Sequence, residues 1–309
     1  MSARPSSASS RPKPSNLRVQ QDTIRPSGFK SPAEEDRRRR RSSRGMYVLP
    51  SLFTAGNIAA GYYAITQSIQ GTATEPAYFD HAALAIGLAA LLDGVDGYIA
   101  RLTNTASDFG KELDSLADVI TFGVAPSLLA YVWGFRMLPL TVHPDLRENV
   151  VHAGVFVCFL FLICGASRLA RFNISTNPQP RNPGKPGSKF FVGMPIPAGA
   201  GVIAAVIHCF DGSPIYNPWT ALVWLTLILF TGFLMVSNWR FWSAKEITSG
   251  GRQPFQVVAL LALVGALIAW KSELMLMVIA LGYLVSGVFA RLAYSWGRRR
   301  RRSHGPEQL

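Results

Sequence analysis

Leu92-Asp93-Gly94-Val95-Asp96-Gly97-Tyr98-Ile99-Ala100-Arg101, followed after eight residues by Gly110-Lys111-Glu112-Leu113-Asp114-Ser115-Leu116-Ala117-Asp118, decides how this chain is read. The first block closes an apolar segment at about 78–100 and the second opens another at about 113–135. An aspartate at the centre of a bilayer costs about 2.5–3.5 kcal/mol, so four isolated ones would oppose insertion. They need shallow depth, water or positive charge. On helices, Asp93 and Asp96 share a face with Gly97 and Ala100, and Asp114 and Asp118 share a face of the next helix. A short link predicts that the two helices pack antiparallel and bring the four carboxylates together. Such a cluster calls for cations, and hard oxygen ligands select Mg²⁺, Mn²⁺ or Ca²⁺. Gly97 and Ala100 leave room for a ligand against the backbone, and Arg101 is placed to meet a phosphate.

Outward from that stretch the chain is apolar. Eight segments are expected, at about 48–70, 78–100, 113–135, 150–172, 191–210, 217–238, 254–270 and 274–295. Most reach the roughly 20 residues that a membrane-crossing helix needs. The seventh starts at Pro254 and is short enough to be tilted or partly re-entrant. The expectation is therefore an all-α polytopic membrane protein with about eight transmembrane helices, a six-helix core plus two. Residues 47–297 form the membrane domain. The flanks, 1–46 and 298–309, are basic tails, the first rich in Ser, Pro and Arg and expected to be disordered.

The net charge of +13 sits almost wholly in those flanks. A near-neutral, half-apolar middle is not the basic face of a soluble nucleic-acid binder, and no aromatic residues interleave the arginine runs, so no nucleic-acid partner is expected. With the N-terminus inside, the outer loops are 71–77, 136–149, 211–216 and 271–273. They carry only Arg136, Arg147 and Lys271 of the 31 basic residues. That asymmetry places both termini and the aspartates on the cytoplasmic side of the cell (inner) membrane. The arginine runs enforce this topology or sit on anionic headgroups.

Cys158, Cys164 and Cys209 lie in apolar runs without zinc spacing and are read as small buried hydrophobes. His81, His143, His152, His208 and His304 show no metal spacing either, and none is given a role. Arg168 and Arg171 share a helix face at the inner end of the fourth segment. Both are candidates for holding a lipid phosphate or a substrate carboxylate, against simple interfacial snorkelling.

Asp93-x-x-Asp96-Gly97-x-x-Ala100-Arg101, eight residues, Gly110-x-x-x-Asp114-x-x-x-Asp118 resembles the complete signature of the CDP-alcohol phosphatidyltransferase family. The flanking runs Leu49 to Asn57, Phe109 to Asp118, Arg168-Leu169-Ala170-Arg171-Phe172-Asn173 and Gly193-Met194-Pro195-Ile196-Pro197 are similar to the branch of that family that uses L-serine. Ser51 departs from it, standing where Asn is expected after the proline. The likeness spans about 47–240.

This resemblance implies transfer of a phosphatidyl group from CDP-diacylglycerol to the hydroxyl of L-serine, with release of CMP. It implies two divalent cations, Mg²⁺ or Mn²⁺. Asp93, Asp96 and Asp114 would hold one; Asp93, Asp114 and Asp118 would serve the other, with Asp118 also the base. Gly97, Ala100, Arg101 and Gly110 would line the site for the CDP moiety, with Asn57, Arg168 and Arg171 as further binding residues. A homodimer in membrane lipid is expected on the same ground. The signature alone leaves open another acceptor, such as glycerol phosphate or inositol phosphate. From a different class, a cation-coupled transporter would show a second copy of the motif and broken helices in matching halves. The sequence contains no such copy.

Overall fold

A computed structural model describes residues 52–103, 108–176, 190–242 and 265–303, all within the compact unit Gly45–Leu309. The described chain is helical apart from one pair of short antiparallel strands. Helix α1 covers 52–70 and α2 is Ala77–Thr103. A single rod follows, made of α3 (Asp108–Asp118), a π-helical stretch Val119–Val124, α4 (Ala125–Tyr131) and a second π-helical stretch Val132–Arg136. Helix α5 is Pro144–Thr176, α6 is Ile196–Cys209 and α7 is Pro218–Val236. Helical residues 265–270 (α8) lead into α9, Ser272–Ser303.

Among the described residues, four stretches are long and apolar enough to cross a membrane: Phe109–Arg136, Pro144–Ile174, Pro218–Val236 and Ser272–Phe289. The outer face carries what lipid demands, for example Val155, Phe156, Phe159 and Ile163 exposed along α5. The interior is built on small residues. Ala82, Ala83, Ala85 and Ala89 of α2 are buried beside α6, which offers Ala200, Ala204 and Ala205. Small side chains let helix axes approach closely, the main source of helix association where lipid is as apolar as leucine. Larger anchors, Phe79, Ile86, Phe122, Leu129, Phe161 and Ile203, complete the core.

The expected fifth span, 191–210, is corrected. Residues Phe190–Val192 form a strand, and α6 begins only at Ile196 and has 14 residues, about 21 Å of helix. Gly193 adopts φ +78°, and Pro195 is extended at φ −60°, ψ 145°, so helix cannot start earlier. The strand pairs antiparallel with Arg240–Trp242, with Phe191 opposite Phe241. Phe241 is fully buried against the ring of Tyr283 on α9, which fastens the strand pair to the last helix. The expected span 254–270 lies outside the described residues except for 265–270.

Among the described residues, loops 71–77 and 211–216 meet at one end of the bundle. At one end Trp133 donates its indole N–H to the carbonyl of Gly212 at 3.0 Å, and Arg147 Nε donates to the carbonyl of Leu138. A Cβ on Gly212 would strike the Pro76 carbonyl, so loops 71–77 and 211–216 press together there. The aspartates lie at the other end.

Candidate active site

Asp93 stands near the C-terminal end of α2, and Asp114 and Asp118 occupy the last turns of α3. One carboxylate oxygen from each lies within 4.8 Å of the others. Among the described residues no other group of three His, Cys, Asp or Glu side chains could hold a metal ion. Asp118 is 9% exposed and the other two are half-buried. Three carboxylates this close repel one another, and unit charges at about 4 Å interact by about 4 kcal/mol at an effective dielectric of 20. Acid oxygens converging in a half-buried niche fit a hard divalent cation. Asp96, Gly97, Ala100 and Arg101 also fall on α2, but their side chains lie outside the described residues. Gly110 is on the first turn of α3.

The geometry around Asp118 has a local cause. Asp118 is the residue at which α3 passes into the π-helical stretch Val119–Val124. A π turn takes an additional residue per turn and re-aims the side chains that follow, and such turns recur at functional sites. Thr121, in that stretch, donates its hydroxyl to the backbone carbonyl of Asn57 on α1 at 3.0 Å. Gly61, one turn further along α1, permits the approach, since a Cβ there would come within 2.9 Å of the Thr121 Cα. Helix α1 is thus pressed onto the turn that follows the clustered carboxylates.

That contact buries Asn57 completely, and neither its Oδ1 nor its Nδ2 has a hydrogen-bond partner among the described residues. A buried polar group left unsatisfied costs about 1–3 kcal/mol, which makes the carboxamide a candidate binding group. Arg168 presents a second such group. It is 7% exposed, its Nε is without a partner among the described residues, and its guanidinium carbon lies 5.6 Å from the Phe172 ring centroid. A cation–π contact does not replace a counter-ion for a buried guanidinium.

Arg171 is differently employed. Its guanidinium donates to the carbonyls of Val236 at 3.0 Å and of Met235 and Ser237 at 3.4 Å, and to Asn238 Oδ1 at 3.4 Å. Those carbonyls end α7, where a cation is favoured by the helix dipole. Arg171 therefore ties α5 to α7. The knot also explains Gly193: besides its positive φ, a Cβ there would meet Met235 O at 2.5 Å and an Arg171 nitrogen at 2.8 Å. Asn173 makes a parallel tie on the other side, donating to Ser115 Oγ at 2.8 Å beside Asp114. Sequence reading pointed to the Arg168–Asn173 run as a unit but did not separate these three tasks. Thr121 and Ser115 were missed altogether, because nothing local marks a hydroxyl whose partner is some 60 positions away.

Two cavities among the described residues lie away from this cluster. One of about 650 Å³ is lined by residues including Glu75, Asp80, His81 and Asp211. The other, about 380 Å³, is walled by Trp133, Phe210, Tyr216 and Trp224. Neither touches the carboxylates.

Comparison with known proteins places the chain among relatives. A CDP-diacylglycerol–serine O-phosphatidyltransferase of Helicobacter pylori is 40% identical over 210 residues, covering 65% of this chain and 75% of the relative. An enzyme of the same name from Mycobacterium tuberculosis is 31% identical over 260 residues, 81% of this chain and 80% of its own. The archaetidylserine synthase of Methanothermobacter thermautotrophicus is 36% identical over 162 residues, 51% of this chain and 57% of that protein. The family model for CDP-alcohol phosphatidyltransferases matches residues 47–222, which hold every aspartate of the cluster as well as Asn57, Arg168 and Arg171. The chain belongs to the CDP-alcohol phosphatidyltransferase family.

Proposed function

We propose that this protein transfers the phosphatidyl group of CDP-diacylglycerol to the hydroxyl of L-serine, giving phosphatidylserine and CMP. The observation that carries the reading is the convergence of Asp93, Asp114 and Asp118 within 4.8 Å at one end of a membrane bundle. The choice of serine is supported by the names of the relatives and by the Arg168–Asn173 and Gly193–Pro197 runs.

Asp93, Asp114 and Asp118, with Asp96 beside them in sequence, would hold the divalent cations, Mg²⁺ or Mn²⁺. Bound there, the ions supply charge neutralisation for the diphosphate and its leaving oxygen. The remaining work falls to this chain's own groups. Asp118, the most buried of the three, takes the proton of the serine hydroxyl as that oxygen attacks phosphorus. Asn57 satisfies its orphaned carboxamide on the nucleotide, for which Gly97, Ala100, Arg101 and Gly110 leave room. Arg168 finds its missing counter-ion in the serine carboxylate or the lipid phosphate. Arg171 holds Arg168 in place by fixing α5 against the end of α7.

The site lies where a two-tailed lipid keeps its chains in the bilayer while its nucleotide meets water. The loop charges support a cytoplasmic active site, with both termini cytoplasmic, in the cell (inner) membrane. Residues 1–46 and 298–309 are proposed as basic tails flanking the membrane domain 47–297. A homodimer is proposed on the habit of the family.

The test uses purified protein in detergent with CDP-diacylglycerol, Mg²⁺ or Mn²⁺ and a panel of alcohols. CMP release that depends on serine is the expected result. Release with glycerol phosphate or inositol phosphate instead would move the protein to another branch of the family, and no release with any alcohol from folded protein would end the proposal. In the same assay Arg168→Gln is expected to raise the KM of the substrate it holds by roughly 10- to 100-fold, the worth of a charged hydrogen bond. A rise in the serine KM with CDP-diacylglycerol unaffected would assign Arg168 to the carboxylate.

A further inference from the structure

At the end of the bundle away from the aspartate cluster, three polar side chains from three helices form one chain of hydrogen bonds. His208, in the last turn of α6, places Nδ1 at 2.5 Å from Asp80 Oδ1 in the first turn of α2. Its Nε2 lies 2.9 Å from the hydroxyl of Ser272, the first residue of α9. The imidazole is 8% exposed and the Asp80 carboxylate 23%. Asp80 and Asp93 are separated by about 20 Å of helix rise along α2, so this cluster has no part in the phosphatidyl-transfer site.

The connectivity is that of an activated nucleophile: hydroxyl to Nε2, Nδ1 to carboxylate. The carboxylate fixes the tautomer that carries its proton on Nδ1, which leaves Nε2 free to accept from the serine. The backbone adds a further component. Helix α9 follows α8 after the single non-helical residue Lys271, and its first intrahelical bond runs from Met275 N–H to the Lys271 carbonyl at 3.1 Å, so the N–H groups of Ser272, Glu273 and Leu274 precede that bond. Donors at a helix N-terminus suit the negative oxygen that forms when a hydroxyl adds to a carbonyl. Ser272 is half-buried rather than sealed, and the open cavity of about 650 Å³ adjoins the same cluster through Asp80.

We infer that Asp80, His208 and Ser272 form a second, ester-cleaving centre at the opposite end of the bundle from the aspartate cluster, with carboxylic esters presented at the membrane surface as its substrate class. Ser272 Oγ attacks the ester carbonyl carbon while His208 Nε2 takes the hydroxyl proton. The C–O bond to the alcohol breaks, and the alcohol leaves with that proton. Water then adds to the acyl-Ser272 ester as His208 again takes a proton, and return of that proton to Ser272 Oγ releases the carboxylic acid. Asp80 is a positioning residue that orients the imidazole and stabilises its charged form.

The experiment treats the full-length protein in detergent with a fluorophosphonate probe, which forms a Ser–O–P bond and expels fluoride only at an activated hydroxyl. The labelled site is read by peptide mass spectrometry. Wild-type protein is expected to carry the adduct on Ser272. Ser272→Ala should carry none, and His208→Gln should label about a hundredfold more slowly, the scale of a general base. Both variants should retain the CMP release of the parent, which shows that they are folded and that the two ends act separately. Unlabelled wild-type protein, an adduct on another residue, or His208→Gln labelling at the parent rate would overturn the inference and leave the three residues as a structural tie between helix ends.

Discussion

Asp118→Asn is expected to lower kcat for serine-dependent CMP release by about a thousandfold or more, while the metal-free protein unfolds at the same temperature as the parent or slightly above it. The two halves of this result come from one geometry. A general base contributes roughly 10²- to 10⁴-fold, and an asparagine cannot take the serine proton. Asn is also a poorer ligand than a carboxylate for a hard cation, which adds to the loss. Stability moves the other way because Asp118 is one of three carboxylates whose oxygens lie within 4.8 Å. Removing one charge without removing volume relieves repulsion in a half-buried niche, so a group retained for function is one the folded protein holds at a cost. Thermal unfolding in chelator, together with single-turnover CMP release, checks both halves. Full activity in the variant would refute the assignment of the base. A large fall in stability would instead give the carboxylate a structural role.

The aspartate cluster was legible because its spacing is local. Asp93 lies at the end of one apolar segment and Asp114 and Asp118 at the start of the next, and a tight link leaves the two helices little choice but to pack side by side. The proposed alternation of ends rests on a similar cost: lysine and arginine are unfavourable to carry across a membrane, so they gather on one side. What escaped the sequence depends on pairs far apart. Arg171 and the end of α7 are 65 positions apart, and His208 and Asp80 are 128 apart. No periodicity marks such pairs. The π-helical turn after Asp118 escaped because Val119-Ile120-Thr121-Phe122-Gly123-Val124 reads as any apolar helix; what distinguishes it is the hydroxyl of Thr121 reaching the Asn57 carbonyl. The fifth segment was misjudged in length because Phe190, Phe191 and Val192 are as apolar as the helix that follows. What stops the helix is the backbone of Gly193 and Pro195, at φ +78° and in an extended conformation, which apolarity does not reveal.

Removing divalent cations should abolish CMP release, and adding Mg²⁺ or Mn²⁺ back should restore it. The electrostatics leave little alternative. The diphosphate of the donor lipid is an anion, and without a cation it would approach three carboxylates gathered within 4.8 Å. The same reasoning gives a readout that does not depend on turnover. A cation that binds the folded protein alone stabilises it by about 2.7 kcal/mol at a hundred times its dissociation constant. Thermal unfolding followed against Mg²⁺ or Mn²⁺ should therefore rise with concentration and saturate. Asp93→Asn should shift that curve to higher concentration, because it takes away one of the ligands proposed on α2, whereas Arg168→Gln should leave it in place, since a guanidinium is no ligand for a cation. If Asp93→Asn and the parent protein gave superimposable curves, the metal would have to sit elsewhere, and the pairing of α2 with α3 would lose its purpose.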